Sequence, residues 1–238
     1  MTDEDRDLGT ERYAYSRKAL GRLVLSYEMR ELADRAAVGV PTGDDHLALP
    51  GEEVRAALDL VDQSQEVLTR AVLFERTKGT SWETIAEKLG IRRQSAEARY
   101  REAEQAWEDA LHDPYDREEP RSRHRSLRLH EAAYAPIGAG QDLDEWAQQQ
   151  GQGTHAVTGG LPTLPLQEEL GQVLDGLSYL DRDRHKPPDP AVRLQLTERK
   201  AVLLDRIAHE EDRPEAALQA EEARALAAQI RSEIEGTP

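Results

Sequence analysis

The stretch GTSWETIAEKLGIRRQSAEARY, residues 79–100, decides how this chain is read. Thr80 and Glu83 stand three apart before an apolar run, the spacing of a capping box, so a helix is expected to start at Thr80. Ile85, Ala86 and Leu89 supply its buried face, with Ala86 small enough for two helices to cross closely. Gly90 offers the positive φ of a tight inter-helix turn, and Ile91 is expected to plug the angle between the helices. In the next helix Ala96, Tyr100, Ala103, Trp107 and Leu111 recur at steps of four, three, four and four, one buried stripe. That leaves Arg92, Arg93, Gln94, Glu97 and Arg101 pointing away from the stripe, at the end and face that a recognition helix offers to a major groove.

Outward from this segment, the periodicity stays helical and no strand-like alternation persists, so the fold class is all-α. A helix is expected from Tyr13 to Ala36, ended by Gly39, Pro41 and Gly43. A second runs from Glu52 to Arg76, with Val54, Leu58, Val61, Leu68 and Val72 along one side. Residues 136–165 turn to Gly, Gln, Thr and Pro, the composition of a flexible connection, with a short helical turn at 142–148. Beyond it, Leu166, Leu170, Val173, Leu174 and Leu177 mark an amphipathic helix, and Asp189-Pro190 supplies a cap and a first-turn proline for the next. Asp212 and Glu215 have capping-box spacing for a last helix that carries Leu218, Leu226, Ile230 and Ile234. The expected organisation is a helical domain at 1–135 with a helix-turn-helix at 80–111, a flexible linker at 136–165, and a C-terminal helical hairpin module at 166–238.

Charge sharpens the problem. The formal net charge is −16, which repels phosphate overall, yet residues 71–130 hold 12 basic and 12 acidic side chains. Within them RSRHRSLRLH, residues 121–130, forms a local basic patch. With 38% hydrophobic and 33% charged residues and a single Phe, small aliphatic cores under a charged surface are expected. The absence of cysteine excludes disulfides, thiolate zinc sites and a cysteine nucleophile. The MTDEDRD start lacks the basic and apolar regions of a signal peptide, and no apolar run reaches membrane-spanning length, so a cytoplasmic protein with no membrane partner is expected. HEAAY, residues 130–134, has Tyr134 where a zinc-protease helix needs its second histidine. His209 to Asp212 reads as a charged helix end, and GQGTHAVTGG lacks the Lys-Ser/Thr of a phosphate loop. No catalytic set, metal site or cofactor is therefore expected, and the chain is not read as an enzyme.

The run SWETIAEKLGIRRQSAEARY resembles the helix-turn-helix of bacterial DNA-binding proteins from high-GC organisms, with a motif like that of sigma-factor region 4. The resemblance rests on Trp82, Ile85, Leu89, Gly90, Ile91, Arg93, Gln94, Ser95, Ala96, Arg99 and Tyr100, and covers residues 71–111. Arg92 and Arg99 depart from it, standing where a capping serine and an apolar residue are common. It implies a small helical bundle that binds double-stranded DNA through its second helix, as a transcriptional regulator or a plasmid- or phage-type accessory factor. Base contacts would come from Arg93, Gln94 and Glu97, and phosphate contacts from Arg92, Arg99, Arg101, Arg123, Arg125 and Arg128. Since one helix-turn-helix makes few base contacts, a homodimer through the C-terminal helices is expected to supply a second. The alternative is a helical interaction adapter whose helix-turn-helix docks a protein rather than DNA.

Overall fold

Tyr13, expected inside the first helix, instead packs among residues far along the chain, and this long-range contact reshapes the domain plan. The structure, a computed structural model, describes residues 9–41, 49–115, 127–182 and 189–236. Its regular elements are helical, with no strand beyond isolated bridges among the described residues, so the chain is all-α. No described helix is long and apolar enough to cross a membrane. The chain divides into two compact units that interleave in sequence. One comprises Arg17–Glu108 and His130–Leu161; the other gathers the described parts of Met1–Ser16, Asp109–Leu129 and Pro162–Pro238. The changes of unit fall after Ser16, Glu108, Leu129 and Leu161, where the sequence suggested boundaries after residues 135 and 165.

In the first unit, α1 (Arg17–Val38) and α2 (Glu52–Thr77) form an antiparallel hairpin. It is followed by α3 (Trp82–Leu89), the first part of α4 (Arg93–His112), α5 (Glu131–Tyr134) and α6 (Pro136–Gln149). Leu20, Leu23 and Val24 bury one side of α1, and α5 and α6 pack against α1. The expected flexible linker is thus replaced over its first half by a helix. Pro136 starts α6 with its φ already set, and Ala139, Leu143 and Ala147 bury one face of it. The glycine-rich stretch that follows is tied down by Asp144. Its carboxylate accepts the N–H of Val157 at 2.8 Å and of Thr158 at 3.2 Å, and the Thr158 hydroxyl.

In the second unit, α7 (Leu166–Arg182), α8 (Pro190–Glu210) and α9 (Pro214–Glu235) build a helical bundle in which α8 and α9 form the expected hairpin. Tyr13 packs with Val173, Leu180, Val192, Leu196 and Leu203 in its core. Asp189 caps α8 as expected, accepting the Ala191 N–H at 2.9 Å. The Asp212 capping box is not formed: Asp212 adopts φ 52°, Arg213 occupies the cap position, and α9 starts at Pro214. The buried face of α9 also differs. Ala216, Ala220, Ala223, Ala227 and Ile230 face inward, whereas Leu218 and Leu226 are exposed. Small side chains let α8 and α9 approach closely, so the alanine stripe outcompetes the larger residues for the interface.

Glu169 of α7, buried, accepts two hydrogen bonds from the Arg199 guanidinium of α8, at 2.8 and 2.5 Å. Removing the carboxylate leaves the partly buried Arg199 guanidinium without its partner, so Glu169→Ala is expected to lower the urea-unfolding free energy by about 2 kcal/mol. A Glu169→Leu, Arg199→Met pair should recover most of the loss.

Candidate nucleic-acid interface

The turn from α2 into α3 is fixed by one arginine and one glutamate near the end of α2. Gly79 takes φ 86°, a conformation open to glycine, and reverses the chain. Glu75 then spans the turn, pairing with Lys78 Nζ at 2.6 Å through one oxygen and accepting the Thr80 hydroxyl at 2.6 Å through the other. Arg76 reaches further. It donates to the Thr80 carbonyl at 2.8 Å and to Glu104 of α4 at 2.8 Å, with its guanidinium 4.7 Å from the centre of the Trp82 ring. A single planar cation therefore joins α2, the turn, α3 and α4.

The helix start lies one residue later than expected. Ser81, not Thr80, accepts the Thr84 N–H, because the Thr80 hydroxyl is committed to Glu75. Gly90 ends α3 at φ 67° as expected. Val72, Trp82, Ile85, Ala86, Ala96 and Tyr100 form one core with Leu89 against it, and Trp107 and Leu111 continue the buried side of α4. Ala103 is half-buried. Ile91 does not plug the inter-helix angle but lies exposed, since the tightness of the turn at Gly90 leaves it outside.

Arg92, Arg93 and Gln94 stand exposed at the start of α4, with no side-chain hydrogen bond or ion pair to another described residue. The Arg92 carbonyl accepts the Ala96 N–H, placing Arg92 at the cap, where its side chain has no acceptor to offer. Glu97 and Arg101 lie on the same side of α4 as Gln94 but are engaged with each other at 2.7 Å. Arg99, expected as a phosphate contact, lies on the opposite flank of the stripe from Glu97 and Arg101, where it donates to Gln65 of α2 at 3.2 Å. Arg128 belongs to the other compact unit and donates to the Asp113 carbonyl at 2.8 Å. Arg123 and Arg125 lie outside the described residues.

The histidine of HEAAY has a definite role. His130 caps α5 by accepting the Ala132 N–H on Nδ1, and its Nε2 lies 3.2 Å from Glu28 of α1. Gln63 of α2 donates to the same carboxylate at 2.7 Å. This network was not legible from spacing, since Glu28, Gln63 and His130 come from three elements far apart in the chain. Among the described residues no cluster of His, Asp and Glu could hold a metal ion.

Three carboxyls of this unit are held below their ordinary range. For Glu28 the main cause is the His130 hydrogen bond, and for Glu75 the Lys78 hydrogen bond. Burial pushes the Asp144 carboxyl up, but the Thr158 hydroxyl and the backbone N–H groups of Val157 and Thr158 outweigh it. A depressed carboxyl stabilises the fold fully above its unfolded value and loses that contribution as pH falls through its folded value. Thermal unfolding should therefore show a Tm that is flat from neutrality to mildly acidic pH and falls once these carboxyls take up protons. The fall should be shallower in Glu28→Gln. Arg76→Ala is expected to cost about 1–2 kcal/mol of stability, read by chemical denaturation, with a changed Trp82 fluorescence in the native state. No family model, curated protein or solved structure matches this chain.

Proposed function

We propose that the α3–turn–α4 pair is a helix-turn-helix and that the chain is a sequence-specific DNA-binding protein, a transcriptional regulator or a plasmid- or phage-type accessory factor. The observation that carries this reading is the start of α4. Arg92, Arg93 and Gln94 are exposed, without a side-chain partner among the described residues, and mounted on a helix whose other side is locked into a core with α2 and α3. Arg can bond bidentately to guanine and Gln to adenine, so Arg93 and Gln94 would read base edges and Arg92 would hold a phosphate. The N-terminal end of the helix adds partial positive charge at the same place. Glu97 and Arg101 would have to exchange their mutual pair for contacts with DNA. Arg99 would do better as a brace between α4 and α2 than as a phosphate contact, given its bond to Gln65. The acidic remainder of the chain would suppress non-specific binding and leave affinity to local fit.

A titration of the whole chain against genomic fragments at low salt tests this reading; no shift on any fragment would sink it. Replacing Arg93 and Gln94 together by Ala should remove about 1–3 kcal/mol of discrimination per lost base contact while leaving the fold intact by circular dichroism. Binding of a protein partner that resists nuclease and is indifferent to Arg93→Ala would instead favour an adapter.

A further inference from the structure

Val54, Leu58, Val61, Gln65, Leu68 and Val72 follow one another along α2 at alternating steps of four and three, the seam spacing of a coiled coil. The C-terminal end of this seam is used: Val72 is buried in the core with α3 and α4, and Leu68 is partly covered. The other end is bare. Val54 is 65%, Leu58 59% and Val61 53% exposed, although all three lie on one apolar side of the helix. At 100° per residue, Ala56 and Leu60, which line the cleft between α1 and α2, sit roughly 140° round α2 from the seam, so the face that meets α1 is turned away from it.

We propose that this bare half of α2 pairs with the same segment of a second copy of this chain, antiparallel about a two-fold axis between Leu58 and Val61. The occupant follows from the flanking residues. With Leu58 of one copy level with Val61 of the partner subunit, each flank of the seam meets its own counterpart. On one flank Arg55 then faces Asp62 of the partner subunit, and the two-fold repeats the pair. Both side chains are exposed, and neither forms an ion pair with another described residue. On the other flank stand Ala57 and Ser64, small enough for the helices to close. The lengths agree as well. In this register Glu52, where α2 begins, falls level with Val67 of the partner subunit, the first buried residue of α2, so the partner helix ends where the seam ceases to be bare. This pairing replaces the C-terminal helices as the dimer contact and does not depend on DNA binding.

Analytical ultracentrifugation of the whole chain should give a concentration-dependent species of twice 26.7 kDa. Leu58→Asp should return it to monomer with helix content unchanged and with the thermal unfolding of the wild-type chain at concentrations where that too is monomeric. Arg55→Asp and Asp62→Arg, each alone, should weaken self-association by about tenfold or more, since each sets like charges opposite. Mixing those two variants should restore a dimer, because each then supplies the charge that the other lacks, and the double variant should also dimerise. A strictly monomeric wild-type chain at high micromolar concentration would overturn the proposal. So would a dimer indifferent to these α2 changes, or one broken instead by Leu218→Asp and Leu226→Asp. DNA binding by a chain that never dimerises would separate failure of this proposal from failure of the DNA reading.

Discussion

Arg76 is the interaction on which the candidate interface depends. A single guanidinium bonds the carbonyl of the turn, pairs with Glu104 of α4 and stacks on Trp82 of α3. Each contact alone is modest for a partly exposed group, but all constrain one planar cation. A short helix such as α3 could not hold its place by its own propensity, because eight residues fall well below the length at which helices persist alone. Its position comes from the core it shares with α2 and α4 and from the cation that spans the turn. The start of α4 is thus placed by a shared core and by the Arg76 contacts, and a functional surface needs such support from the elements behind it.

The electrostatic conflict raised by the sequence is resolved locally. The net charge of −16 belongs to the whole chain, and interactions of exposed charges decay over about 10 Å at moderate salt. What a ligand at the start of α4 meets is Arg92, Arg93 and the helix end, with the nearest acid of that face, Glu97, neutralised by Arg101. The Arg99 guanidinium is turned towards α2, where it donates to Gln65. Arg128 is likewise occupied, by the Asp113 carbonyl.

Local features were the most legible. The helical period, the positive φ at Gly90, the Asp189 cap and the buried side of α4 could all be read because they depend on residues a few positions apart. Features set by distant partners could not. The cap shifted from Thr80 to Ser81 because Glu75, on the preceding helix, claimed the threonine hydroxyl. A glycine-rich composition suggested a free linker, yet the Asp144 carboxylate, thirteen residues before Val157, anchors it. Tyr13 left the first helix for a core built from α7 and α8. On α2 the pattern picked out an apolar stripe but not which of its residues are covered within the chain, and on α9 it picked out the leucines where an alanine stripe is buried. Amphipathicity reports that a face is apolar and is silent about its partner.

Whether the start of α4 meets DNA is tested most directly by mapping arginine reactivity. The whole chain, bound to a duplex selected from a random pool, would be treated with a dicarbonyl reagent and each arginine scored by mass spectrometry. Protection of Arg92 and Arg93, with exposed arginines of α8 and α9 such as Arg206 and Arg224 still reactive, is the expected result. Unchanged reactivity of Arg92 and Arg93 in a complex that demonstrably holds DNA would contradict the account.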